Sequence, residues 1–88
     1  MKFVYKYFFY LKNTKFSLSL PVGWKFLYLR PEDEKIFIWT EVREGAPTET
    51  AHFQVFGTGQ EIPLSAEYLT SYSVGPFNFH LYLMHSVT

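Results

Sequence analysis

Cysteine is missing from this 88-residue chain. No disulfide can staple the fold and no thiolate can hold a metal, so folding rests on the core alone, as suits a reducing compartment. Aspartate occurs once, as Asp33, inside the exposed acidic turn Arg30-Pro31-Glu32-Asp33-Glu34. A Ser-His-Asp arrangement therefore has nowhere to draw its acid from, and no serine sits in a nucleophile elbow. Long apolar runs are lacking too. Phe8-Phe9-Tyr10-Leu11 is the longest near the start, flanked by Lys2, Lys6 and Lys12, which resembles neither a membrane span nor a signal peptide. Helical periodicity is absent apart from one possible turn over 64–68, and no repeat or linker divides the chain, so a single β domain over 1–88 is expected.

Acids are lacking from residues 1–30, which carry Lys2, Lys6, Lys12, Lys15, Lys25 and Arg30 for a sum of +6. Residues 31–88 sum to −6, and the whole is neutral. Either the two parts neutralise each other across a sheet, or a basic face attracts an anionic ligand. Zero net charge argues against duplex nucleic acid.

Aromatic side chains are what the chain has in excess. Ten Phe, seven Tyr and two Trp make 22% of it, more than one small core hides, so a subunit interface and a homo-oligomer are expected. The rings alternate with other residues at period two, the mark of strands. Phe3, Tyr5, Tyr7, Phe9 and Leu11 share one face of the first; Val4, Phe8 and Tyr10 share the other with lysines. Phe16, Leu18 and Leu20 face inward on a second strand that reads as the hairpin partner of the first. Residues 24–29 are apolar on both faces, hence central or at an interface. Residues 35–43, 51–56, 67–74 and 77–85 complete a set of six to seven short strands. Tyr68, Thr70, Tyr72 and Val74 share a face of the sixth. The expected fold is all-β, a small antiparallel sandwich or barrel. Phe3, Phe9, Leu18, Ile38, Val55 and Leu81 are its expected core.

One stretch carries chemistry, His52 to Ile62. Its strand breaks into Gly57-Thr58-Gly59, where two glycines can take positive φ around a small hydroxyl and expose amides to an anion. Alone such a loop reads more readily as a strand terminator or bulge than as a ligand site. Gln60 can read a polar edge, Thr48 is expected nearby because one strand joins the two loops, Lys6 supplies charge and Trp39 a stacking ring. These are the components of a nucleotide pocket without catalysis. His52, His80 and His85 show no metal spacing, so neither a metal nor a cofactor is expected.

The segments Tyr5-Lys6-Tyr7, Pro21-Val22-Gly23, Ile38-Trp39, Ala46-Pro47-Thr48-Glu49, Phe53 to Gly59, Tyr68-Leu69 and His80 give the chain a resemblance over nearly its whole length. It resembles a family of small phage and prophage proteins known as a domain of unknown function. The chain departs from that pattern at Ala51 and His52, where basic residues are usual, and at Gln60, where His is usual. The resemblance implies a phage source and no assigned activity. Together with the residue reading it gives the expectation of a non-enzymatic protein acting in the host cytoplasm, which sequesters a small anionic nucleotide used as a host immune signal. The alternative is a protein–protein module that inhibits a host protein, or a minor virion component.

Overall fold

The computed structural model describes residues 1–85. Period two becomes seven strands: β1 (Lys2–Tyr10), β2 (Lys15–Pro21), β3 (Lys25–Glu32), β4 (Lys35–Arg43), β5 (Thr48–Gly57), β6 (Glu67–Val74) and β7 (Phe77–Met84). They form two antiparallel sheets, one ordered β1-β4-β3 and the other β2-β5-β7-β6. The sheets lie face to face in a molecule only 16 Å across its thinnest axis, the thickness of a two-layer β-sandwich. Among the described residues there is no helix, and the turn at Leu64-Ser65 closes with a bond from the Ala66 N–H to the Pro63 carbonyl (3.0 Å).

The core follows from alternation on the two central strands. On β4, Ile36, Ile38, Thr40 and Val42 are buried while Phe37, Trp39 and Glu41 face out. On β5, Ala51, Phe53 and Val55 are buried, and Leu81 of β7 joins them. Aromatic rings bridge the layers: Phe9 stacks on Phe16 at 4.0 Å, Phe16 on Phe53 at 4.9 Å, and Trp24 tilts against Phe53 at 5.8 Å. Such contacts add to what area burial alone contributes. The Thr40 hydroxyl is fully buried without a partner among the described residues, a desolvation cost of about 1–3 kcal/mol.

Five expectations are corrected. β1 and β2 are not a hairpin: β1 pairs with β4 and β2 with β5, in different sheets. The short, mostly exposed connection carries the chain from one sheet to the other, so Phe9 and Phe16 meet ring to ring between the layers rather than as ladder partners. Of the two alternatives for β3, central or at an interface, the central one falls: β3 is an edge strand, with Leu27 and Tyr28 exposed. Phe3 is 40% exposed and Leu18 half-buried. The first half of β1 is exposed along both of its faces, and Leu18 lies on the edge strand β2. Finally, Tyr68 and Tyr72 occupy opposite faces. A bulge between Tyr68 and Thr70 reverses the alternation, as one extra residue must.

Candidate functional site

The outer face of the β1-β4-β3 sheet brings two expected site residues together. Lys6 pairs with Trp39 across the β1–β4 ladder, and directly paired side chains share a face. The Lys6 ammonium sits 4.2 Å from the Phe37 ring centre and 5.4 Å from Trp39, and the Arg30 guanidinium is 5.5 Å from the same Trp39 ring. Tyr28 tilts against Trp39 at 5.5 Å, and the Lys35 ammonium lies 4.7 Å from Phe8. Cations over rings are attracted by the negative π face. Of the basic residues on this face, Lys2 meets Glu41 at 3.6 Å and Arg30 meets Glu32 at 3.2 Å. Lys6 touches aromatic rings and, among the described residues, no carboxylate.

The glycine loop lies on the other side of the molecule, at the end of β5. Only Gly59 takes a positive φ, +92°; Gly57 does not, correcting the expectation for both. The Gln60 N–H donates to the Gly57 carbonyl (3.2 Å) and the Gly57 N–H to Gln60 Oε1 (2.6 Å). This is a tight turn with a glycine at its third position, as a type II turn requires. The Gln60 side chain thus caps its own turn.

Thr58 is likewise engaged. Its hydroxyl lies 3.0 Å from His80 Nε2, while His80 Nδ1 lies 2.7 Å from Ser71 Oγ, which lies 2.8 Å from the Tyr68 hydroxyl. A neutral imidazole donates at one nitrogen and accepts at the other, so Thr58 and Ser71 play opposite roles in one directional chain. Ser71, His80 and Tyr68 were not identified as a group from the sequence. Their signal was the Gly75-Pro76 turn, which sets Ser71 opposite His80. Ser71 beside His80 has the form of a nucleophile and base, but among the described residues the other ring nitrogen meets the Thr58 hydroxyl and not an orienting carboxylate.

Thr48 stands at the opposite end of β5 from Thr58. Ten residues of extended strand separate them by about 33 Å, so the two loops do not meet. Thr48 instead pairs with Pro21, and the Val22 N–H donates to the Pro47 carbonyl at 2.7 Å. The Pro-Val-Gly and Ala-Pro-Thr-Glu segments therefore form one corner. Beside it a cleft of about 480 Å³ is lined by Trp24, Lys25, Phe26, Glu49, Glu67, Tyr68 and Leu83 among others. Glu67 also meets His85 Nε2 at 3.1 Å. Its two carboxylates make this cleft a poor place for an anion. Among the described residues no three potential ligands gather into a metal group, and no helix is long and apolar enough to cross a membrane.

Burial raises the Tyr72 phenol to about 12 and, with Tyr5 alongside as the lesser cause, raises Tyr7. Both rings belong to the packing between the sheets and neither to the Lys6–Trp39 face.

Fold and faces define a small two-sheet antiparallel β protein with one cationic aromatic face and one hydrogen-bonded polar face. A family model described as a domain of unknown function (DUF7352) matches residues 1–87, and the chain belongs to that family. No curated protein and no solved structure matches the chain.

Proposed function

We propose that this is a phage protein that binds a small anionic nucleotide, a signal of host immunity, and sequesters it in the host cytoplasm without breaking a bond. The observation that carries the reading is the Lys6–Trp39 pair with Arg30 on the same ring. A base can stack on Trp39 or Tyr28 while its phosphates exchange ring contacts of Lys6 and Arg30 for charge-assisted hydrogen bonds. The binding residues are therefore Lys6 and Trp39. In this reading Gly57 and Gln60 cap their own turn, Thr58 is held by His80, and Thr48 belongs to a distant corner.

The first test is to heat the purified protein and examine the supernatant for nucleotides by mass spectrometry. Calorimetry against cyclic dinucleotides, cyclic trinucleotides and cyclic ADP-ribose isomers follows. Trp39→Ala should weaken binding by about 1–3 kcal/mol, the usual worth of a base–aromatic stack. A folded, ligand-free protein that is silent against the whole panel would end this reading.

A second reading has its own observation. The main clefts lie at the ends and edges of the sandwich, and neither Lys6 nor Trp39 lines them. Around the pair, Val4, Phe8, Tyr10 and Tyr28 are between 44% and 59% exposed. A flat apolar face of this kind also fits a protein partner, either a host protein that is inhibited or a neighbour in the virion.

A further inference from the structure

Every open sheet leaves edges, and this sandwich has four: β1 and β3 in one sheet, β2 and β6 in the other. Natural proteins protect edges with bulges, prolines, charges or short strands. β3 has a bulge between Phe26 and Tyr28 and carries Pro31. β6 has its bulge between Tyr68 and Thr70. β2 has seven residues and ends on Pro21. β1 has nine residues in unbroken register with β4, without proline or bulge.

The free groups of that edge can be assigned. The Leu11 N–H donates to the Glu34 carbonyl at 2.8 Å, and the Glu44 N–H to the Met1 carbonyl at 2.9 Å. Both continue the β1–β4 register, so odd-numbered residues of β1 are the hydrogen-bonded positions. Antiparallel ladders alternate bonded and non-bonded pairs. The N–H and C=O groups of Lys2, Val4, Lys6, Phe8 and Tyr10 therefore point away from β4, along the open edge. Flanking this row, Phe3, Val4, Tyr5, Phe8 and Tyr10 are 40–59% exposed, on both faces of one strand.

We infer that β1 pairs antiparallel with β1 of a second copy, joining two three-stranded sheets into one of six. The occupant is a second copy because a two-fold ladder matches each outward donor row to an identical acceptor row. It also sets exposed rings beside exposed rings on both faces. Lysine restricts the register. A two-fold axis at Lys6 places it opposite Lys6 of the partner subunit, and like charges directly opposite destabilise a sheet. An axis at Tyr7 sets Lys6 opposite the partner's Phe8, and an axis at Tyr5 sets it opposite the partner's Val4. Either places the two Lys6–Trp39 clusters on one continuous outer face. The pairing stands whether or not that face takes a nucleotide.

The absence of cysteine makes the test direct. At either axis the central residues form a non-hydrogen-bonded pair, with Cα atoms about 4.5 Å apart, within disulfide reach. Tyr5→Cys and Tyr7→Cys are oxidised separately, with Ser73→Cys on the edge strand β6 as control. Sedimentation of the unaltered protein should give a dimer or a multiple of it. One of the two β1 cysteines should form a covalent dimer well ahead of the control. Val4→Pro removes an outward N–H that β4 does not use, and should halve the mass while the β-type circular dichroism persists. If Val4→Pro does not fold, the crosslinks decide. A monomer at micromolar concentration, crosslinking no faster than the control, or a folded Val4→Pro of unchanged mass, overturns the pairing.

Discussion

The outer faces of the two sheets are built from similar materials and used differently. On the β2-β5-β7-β6 face, polar groups find one another: Thr58, His80, Ser71 and Tyr68 form one chain, Ser17 meets His52 at 3.1 Å and Ser73 meets Asn78 at 2.9 Å. Phe56 is buried there under the edge of Tyr82. On the β1-β4-β3 face, cations rest on rings and the rings remain open to solvent. A face whose hydrogen-bonding groups are matched internally has little left for a ligand. Binding is to be sought where charge and apolar surface are both on offer.

The largest effect comes from removing what both faces share. Phe53 is 1% exposed and sits between Phe16 and Trp24. Phe53→Ala should cost about 3–5 kcal/mol, a large share of what a domain of this size holds in total. Urea unfolding should show the midpoint collapse, with loss from both faces in one cooperative transition.

Alkali reaches the same interior by titration. The Tyr72 phenol, half-buried against Phe79, rises to about 12, against an ordinary value of about 10. A raised pKa means that the fold favours the neutral form. The stability so linked is complete below the unfolded value and is lost as pH rises through the folded one. Stability should hold to about pH 10 and fall from there toward 12. Tyr72→Phe, which has no proton to lose, should flatten that decline in a thermal unfolding series.

The two faces can be separated by substitution. Trp39→Ala should weaken nucleotide binding by about 1–3 kcal/mol. Ser71→Ala should leave binding unchanged and lower stability by about 1 kcal/mol, the net worth of a typical hydrogen bond. Calorimetry and urea unfolding on both variants give the four values. If Ser71→Ala weakens the ligand instead, the polar face is the site and the assignment of roles is reversed.

What could be read from the chain was local. Alternation places Ile36, Ile38 and Val42 on one side of β4 and Trp39 on the other without knowledge of any neighbour. Pairing is not local. The four polar residues 12–15 look like a hairpin turn, but the same length carries the chain between layers, and only the Phe9–Phe16 stack decides which. Lys6 and Trp39 meet because β1 pairs with β4, three strands on in sequence, which no short spacing reveals. The exposure of Phe3 depends on what the other sheet covers, which alternation alone does not say. The distance from Thr48 to Thr58, by contrast, is legible, and the expectation of nearness reads it the wrong way: a strand that joins two loops holds them apart rather than bringing them together.

The smallest effect tests the glycine loop itself. Gly59 has φ of +92°, where a side chain is strained, and a Cβ built there meets nothing within 4 Å. Its requirement is conformational. Gly57 has no such φ, and a Cβ there meets only Gln60 Oε1 at 3.6 Å, an ordinary contact. Gly59→Ala should therefore cost about 1–2 kcal/mol, the usual penalty for a side chain in the left-handed region. Gly57→Ala should cost a few tenths, within the scatter of surface substitutions. Nucleotide affinity should be the same for both as for the parent, because the Gly57 amide already belongs to Gln60. A loss of binding in Gly57→Ala at unchanged stability has no explanation in a self-capped turn. It would return the ligand to this loop and away from Lys6 and Trp39.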